Sequence, residues 1–90
     1  MKTPYRLYYF PSCPYCVLVL RTAERLGIEL ELIDINRDPS ARRSLLSRRG
    51  RATVPVLHDF SGEEPRLIPE SRDIVRHLER IAGERRAVAG

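Results

Sequence analysis

Cysteine is scarce in this chain, lysine nearly absent and long apolar runs missing. Two cysteines among 90 residues exclude a disulfide framework, and a chain of this length forms one domain whose modest core needs neither staples nor a structural metal. The aliphatic run Val17-Leu18-Val19-Leu20 is far too short to span a bilayer. Residues 1–4 lead straight into Tyr5-Arg6-Leu7-Tyr8-Tyr9-Phe10, a short stretch interrupted by charge that does not read as a signal peptide. No repeat, low-complexity segment or linker divides the sequence. A soluble cytoplasmic monomer is expected, without a membrane partner. Lys2 is the sole lysine, so the net charge of +4 and the pI of about 9.6 rest on arginine. That sign favours acidic ligands and weakly attracts nucleic acid, but a solvated arginine-rich surface is the plainer reading, and no nucleic-acid partner is expected.

What is present reads as alternating elements. Residues 5–10 form an aromatic and aliphatic first strand ending at Pro11. Pro14 suits the first helical position, because its missing N–H would go unpaired there anyway. A helix then runs to Leu26, with Gly27 as its stop. Val17, Leu20, Ala23 and Leu26 mark its buried side, broadened by Leu18 and Val19. Residues 28–35 alternate as a second strand. Asp38-Pro39 opens a second helix that Gly50 closes, with Ala41, Leu45 and Leu46 facing the core. Residues 53–59 and 66–68 form a hairpin about Ser61-Gly62. A last helix spans about 70–82, presenting Ile74, Val75, Leu78, Ile81 and Ala82, and Gly83 ends it. Residues 84–90 are expected to fray. His58 and His77 read as surface or half-buried residues.

Cys13-Pro14-Tyr15-Cys16 places two thiols one turn apart at a helix start, a separation that suits a reversible disulfide. A free thiol is only a few per cent ionised at neutral pH; first-turn N–H groups and the helix dipole favour the thiolate at Cys13. Cys16 faces the interior and should stay protonated. The alternatives are a pair of ordinary core cysteines or half of a zinc site, for which only His58 and His77 could complete the ligand set.

The same four residues, following an aromatic strand, resemble the active-site motif of the glutaredoxin family. Thr53-Val54-Pro55 is similar to the segment that thioredoxin-fold proteins set opposite the active-site helix, with a cis proline. On the residues alone, a proline heading a strand is usually trans. Pro69-Glu70-Ser71, followed by Ile74 and Leu78, resembles the amino-terminal domain of glutathione transferases and the glutaredoxin subgroup built like them. The resemblance covers about residues 5–82. It implies a thioredoxin-like α/β fold, β-α-β-α-β-β-α, with a mixed four-stranded sheet flanked by helices, residues 1–83 forming one domain. It also implies Cys13 and Cys16 as the catalytic pair, a glutathione surface of Tyr15, Arg51, Thr53, Val54, Pro55, Glu70 and Ser71, and no metal. A cis Pro55 would turn the Val54 backbone toward Cys13 for antiparallel pairing with glutathione. Ser71 at a helix start suits a carboxylate, and Glu70 an ammonium group; read plainly, the pair is a helix cap.

One position departs from the family. Many glutaredoxins carry a basic residue three positions before the first cysteine, where this chain has Phe10. Arg49 or Arg51 could replace it, or both could belong to a solvated cluster with Arg42, Arg43 and Arg48. Tyr8 and Tyr15 read as packing residues, not catalytic acids. The expected activity is glutathione-dependent reduction of protein–glutathione mixed disulfides and protein disulfides, with glutathione as co-substrate. A glutathione-binding module without turnover, acting with a partner, is the alternative. A cluster-holding dimer is disfavoured by Pro14, since related cluster proteins usually lack it.

Overall fold

The computed structural model describes residues 3–89, so Met1, Lys2 and Gly90, the last of the expected frayed segment, lie outside it. Seven elements follow one another: β1 (Tyr5–Tyr9), α1 (Pro14–Leu26), β2 (Glu31–Asp34), α2 (Pro39–Arg49), β3 (Val56–Asp59), β4 (Arg66–Ile68) and α3 (Ser71–Ala89). They form a four-stranded sheet in the order β2-β1-β3-β4. β1 pairs parallel with β2, Leu7 opposite Leu32, and antiparallel with β3, Leu7 opposite Leu57. β4 closes the other edge antiparallel to β3. The sheet is therefore mixed, as the order of elements predicts.

Because strand side chains alternate between faces, central β1 feeds two cores, which explains its nearly unbroken apolar run. Tyr5 and Leu7 pack with Val19, Ala23, Leu57, Ile74 and Leu78 beneath α1 and α3. Tyr8 packs on the other face with Ile35, Leu45 and Val56 beneath α2. Leu45 is the only α2 side chain fully enclosed, a burial worth about 1.5–3 kcal/mol. Leu46, expected inside, is 44% exposed: it sits about 100° around the helix from Leu45, beyond a narrow buried stripe.

The buried side of α1 is also rotated from the expected one, comprising Cys16, Val19, Thr22 and Ala23, while Leu18 is 49% exposed. Thr22 tolerates burial because its hydroxyl donates to the Leu18 carbonyl at 2.8 Å. The strands come out shorter than the apolar pattern suggests. Ile28 N–H is taken by the Ala23 carbonyl at 2.9 Å, and the Glu29 carbonyl accepts from Thr3 Oγ1, so β2 starts only at Glu31. β3 begins after Pro55, which has no N–H for the ladder.

Both histidines are buried, contrary to expectation. His77 Nε2–H donates to Asp59 Oδ2 at 2.6 Å, while Asp59 Oδ1 accepts from the Ser61 hydroxyl and N–H. Burial would raise the Asp59 carboxyl, but the Ser61 and His77 hydrogen bonds outweigh it and hold the group below its usual range. This cluster locks the outer end of β3 to α3. His58 lies on the opposite face, its ring 4.0 Å from that of Phe60, with no hydrogen-bond partner for either nitrogen. Burial, reinforced by the charges of Arg48 and Arg6 and opposed by Asp59, pushes it below its ordinary 6.5.

The last helix does not stop at Gly83. Gly27 ends α1 with φ 70°, the left-handed conformation of a Schellman turn closed by the Ile28 N–H. Gly83 has no such φ, and the Glu, Arg and Ala residues beyond it are good helix formers that carry α3 to Ala89.

Two tests follow from this packing. A Cβ at position 83 meets nothing within 4 Å, so Gly83→Ala should stabilise the domain by about 0.5–1 kcal/mol, whereas Gly27→Ala should cost about 1 kcal/mol or more. Urea midpoints measure both, and shifts of the same sign would contradict the assignment. For His58, the unfolded chain takes up a proton near pH 6.5 and the folded chain only at lower pH. Its contribution is thus intact above pH 6.5 and lost as pH falls through that value toward the depressed one. His58→Phe is expected to flatten the decline of stability between pH 7 and 5; an unchanged slope would contradict this.

Candidate functional site

The β1–α1 junction builds the site. Phe10 leaves the strand and its carbonyl accepts from the Cys13 N–H at 3.2 Å, a tight turn that fits Pro11 and Ser12 on the surface. Cys13 is the extended N-cap of α1, Pro14 takes the first helical position, and no side chain caps the helix. The Cys13 carbonyl accepts the first helical bond, from Val17 N–H at 3.0 Å. Cys13 is thus half-buried at the mouth of the helix, beside first-turn N–H groups that have no partner within it.

Cys16, one turn on, is fully enclosed. Burial pushes its thiol up to about 12, with a backbone hydrogen bond at Phe10 opposing the rise and the adjacent Cys13 side chain adding to it. Both thiols are free. The two sulfurs therefore differ in kind: one is open to a substrate, the other is withheld as a neutral thiol in contact with its neighbour.

Beside this junction lies a cleft of about 570 Å³. One wall is Tyr15 from the first turn of α1. A second is the loop between α2 and β3, carrying Arg51, Thr53, Val54 and Pro55. The third is the start of α3, carrying Glu70 and Ser71. Every residue of the expected glutathione surface thus meets in one cleft, and the Val54–Pro55 bond is cis. Cys13 is not among the lining residues; it stands two residues before Tyr15. The Arg49 Nη1 donates to Thr53 Oγ1 at 3.0 Å, while Arg51 lines the cleft, so the two arginines contribute differently to one wall.

Sequence reasoning gave no site role to Pro69, Arg72 and Asp73, which also line the cleft. Their signal was adjacency to Glu70-Ser71. The Glu70 carbonyl accepts from Ile74 N–H at 2.8 Å, making it the last residue before the helix and leaving the N–H groups of the first turn of α3 open toward the cleft. Chemically, the walls suit a zwitterionic peptide: first-turn N–H groups and the Ser71 hydroxyl for a carboxylate, Glu70 and Asp73 for an ammonium, and Arg51 or Arg72 for a second carboxylate.

The zinc alternative meets a different geometry. His77 is bonded to Asp59, which pairs with Tyr5 at the start of β1, the end of the sheet remote from Cys13. His58 is enclosed by Phe60 and Tyr8. Among the described residues, no group of three or more His, Cys, Asp or Glu side chains is placed to hold a metal ion.

Comparison with known proteins bears on this arrangement. A family model described as Glutathione S-transferase, N-terminal domain, matches residues 7–86. Glutaredoxin 2 of Escherichia coli (strain K12) is 27% identical over 81 residues, which cover 88% of this chain and 34% of that protein. The chain therefore spans about a third of the length of the curated relatives it matches. The solved structure of yeast Ure2p in complex with glutathione superposes with a TM-score of 0.73 at 27% identity, over 92% of this chain and 38% of that one. A thioredoxin-like protein superposes with a TM-score of 0.70 at 23% identity, over 90% of this chain and 99% of its own. The fold is thioredoxin-like, as the sequence predicts.

The unequal burial of the two sulfurs has a direct readout. Iodoacetamide at pH 7 is expected to alkylate Cys13 faster than Cys16 by about tenfold or more, as scored by tandem mass spectrometry of the reduced protein. Comparable rates would contradict the burial of Cys16.

Proposed function

The chain belongs to the glutathione S-transferase N-terminal domain family, and from that premise we propose that it is a glutathione-dependent thiol–disulfide oxidoreductase acting through Cys13. One observation carries the proposal: a half-exposed cysteine at the N-cap of α1 adjoins a cleft whose walls offer opposite charges and open N–H groups suited to a small charged peptide. The glutathione complex of Ure2p and the likeness to Glutaredoxin 2 support glutathione as that peptide.

In the proposed cycle, the Cys13 thiolate attacks the glutathione sulfur of a protein–glutathione mixed disulfide. The S–S bond of the substrate breaks as the new one forms, and the protein leaves as a thiolate. Cys13 is then disulfide-bonded to glutathione. A second glutathione thiolate attacks that glutathionyl sulfur, Cys13 leaves as a thiolate, and oxidised glutathione is released. In both steps, as attacking and as leaving group, the Cys13 sulfur stands at the N-cap of α1 beside its first-turn N–H groups. In the cleft, Glu70 and Ser71 hold the γ-glutamyl end of the peptide, Arg51 its other carboxylate, and the Val54 backbone pairs with its centre. For a protein disulfide, the first attack leaves the protein bonded to Cys13. Cys16, on losing its proton, attacks the Cys13 sulfur, releases the reduced protein and closes a Cys13–Cys16 disulfide, which two glutathiones reopen. Free thiols of this kind persist in a reducing compartment, and the cytoplasm is the proposed location.

A second reading has its own support. One similar structure is described as the nitrogen regulation fragment of the yeast prion protein Ure2p and another as Ure2p in complex with glutathione; a glutathione-binding module that acts with a partner fits both. Turnover of a small glutathione mixed disulfide separates the two readings. Cys13→Ser is expected to abolish the reaction, at least a thousandfold, and Cys16→Ser to spare most of it, because monothiol exchange needs only the attacking sulfur. Absence of turnover by the wild type, with glutathione still bound, would replace the enzyme with the binding module.

A further inference from the structure

Twenty consecutive residues, 39–58, contain no aspartate or glutamate. Within them α2 carries Arg42, Arg43, Arg48 and Arg49, and Arg51 follows after Gly50. Arg42, Arg43 and Arg48 are exposed. None of the five has an acidic partner among the described residues, in contrast with Arg6, Arg25 and Arg37, which pair with Glu31, Glu79 and Asp34. On the same helix Leu46 is 44% exposed. Arg42 and Arg43 lie four and three residues before it and Arg49 three after, the spacings that place side chains side by side on a helix. An apolar side chain thus has three arginines as its neighbours by helical spacing, Arg49 reaching on to Thr53 Oγ1.

That surface is continuous with the cleft. Arg51 is part of the cleft wall, and Arg49 reaches from the helix to Thr53 Oγ1 at 3.0 Å, another wall residue. We infer that α2 is a docking surface for the protein half of the substrate, selecting disulfide or glutathionylated proteins whose reactive cysteine is flanked by acidic residues beside an apolar one. The inference rests on the thiol–disulfide reading and names its substrate class. Complementary charge raises encounter rates and rejects like-charged partners, while an apolar centre within a polar rim is the usual anatomy of a protein contact. A nucleic acid would also meet the arginines, but α2 carries no aromatic side chain on which a base could stack, and an exposed leucine adds nothing to phosphate binding.

The test uses three substrates: the mixed disulfide of glutathione with 2-mercaptoethanol, and two glutathionylated peptides differing only in acidic or basic flanks. Arg42→Glu/Arg43→Glu and Leu46→Ala are compared with the wild type; both alter exposed positions outside the cleft. The wild type is expected to prefer the acidic peptide by about tenfold in kcat/KM at low salt, with the preference shrinking at 0.5 M salt. The double variant should lose or invert it while turning over the small disulfide within twofold of the wild type. Leu46→Ala should slow the acidic peptide alone by several-fold, with little dependence on salt. Equal use of both peptides by the wild type, or a preference that survives charge reversal, overturns the inference while normal turnover of the small disulfide leaves the enzyme reading standing. If the small disulfide is not turned over, the enzyme reading fails, and anisotropy of the fluorescently labelled peptides still decides docking. A single-stranded oligonucleotide that binds more tightly than the acidic peptide, and is lost in the double variant, replaces the protein partner with nucleic acid.

Discussion

A helix cannot pair the N–H groups of its own first turn, and this fold directs two such ends to the same place. Tyr15, at the start of α1, and Glu70 through Asp73, at the start of α3, face one cleft. α1 has no side-chain cap there and opens on Cys13 and Pro14, while α3 opens after Glu70, whose carbonyl accepts from Ile74 N–H. By contrast α2, whose start lies elsewhere, is closed by Asp38, which accepts from Ala41 N–H at 3.0 Å. The difference is physical. A capped helix start is satisfied and inert, whereas an uncapped one keeps its donors for an anion. In this chain the anions would be a cysteine sulfur at one helix and a peptide carboxylate at the other.

The rest of the architecture serves that convergence. Parallel pairing of β1 with β2 requires a crossover, and α1 is that crossover, so its N-terminus must follow the C-terminal end of the central strand. Antiparallel pairing of β3 with β1 brings the α2–β3 loop, which precedes β3, to the same end. The β3–β4 hairpin then reverses the chain, so α3 also begins there. At the far end of the sheet the chain does the opposite and saturates its polar groups: Asp59, Ser61 and His77 bond to one another. One end is closed by internal hydrogen bonds, the other left with open donors and a thiol.

The sequence disclosed the parts governed by local chemistry. α1 ran from Pro14 to Leu26 as expected because Pro14 and Gly27 each impose a backbone preference on their own. The succession of elements and the β3–β4 hairpin followed from local signals, whereas the four-stranded mixed sheet rested on the family resemblance. Less legible were properties set by tertiary contacts. Gly83 looked like another stop, yet a glycine ends a helix only where the chain turns into left-handed φ, and nothing after residue 83 makes it turn. Leu18 and Leu46 looked buried because apolar content does not state which stripe meets the sheet. His58 and His77 looked like surface or half-buried residues because the partners that bury them, Phe60 close in sequence and Asp59 from 18 residues away, are invisible to periodicity. For the site, the two cysteines were legible from residues 13–16 alone. The meeting of Tyr15, residues 51–55 and Glu70-Ser71 was not; it rested on family resemblance, since no spacing rule links segments so far apart.

The looseness with which α2 is attached gives its composition a physical rationale. Leu45 is its single fully buried anchor, whereas α3 is fixed by Ile74, Leu78 and Ala82 in the larger core. A helix held by one stripe has nearly its whole circumference in water, and its charges are therefore not constrained by packing. Charge there costs little folding free energy, since exposed arginines pay no desolvation penalty and their mutual repulsion is screened beyond about 10 Å at 0.1 M salt. The elements that hold the reacting groups, α1 and the start of α3, cannot vary in this way, because Cys16, Val19, Ile74 and Leu78 are all enclosed. Under the proposed activity the fold would separate two tasks, with chemistry at the tightly packed helix starts and discrimination among protein partners at α2, whose surface is least constrained by packing.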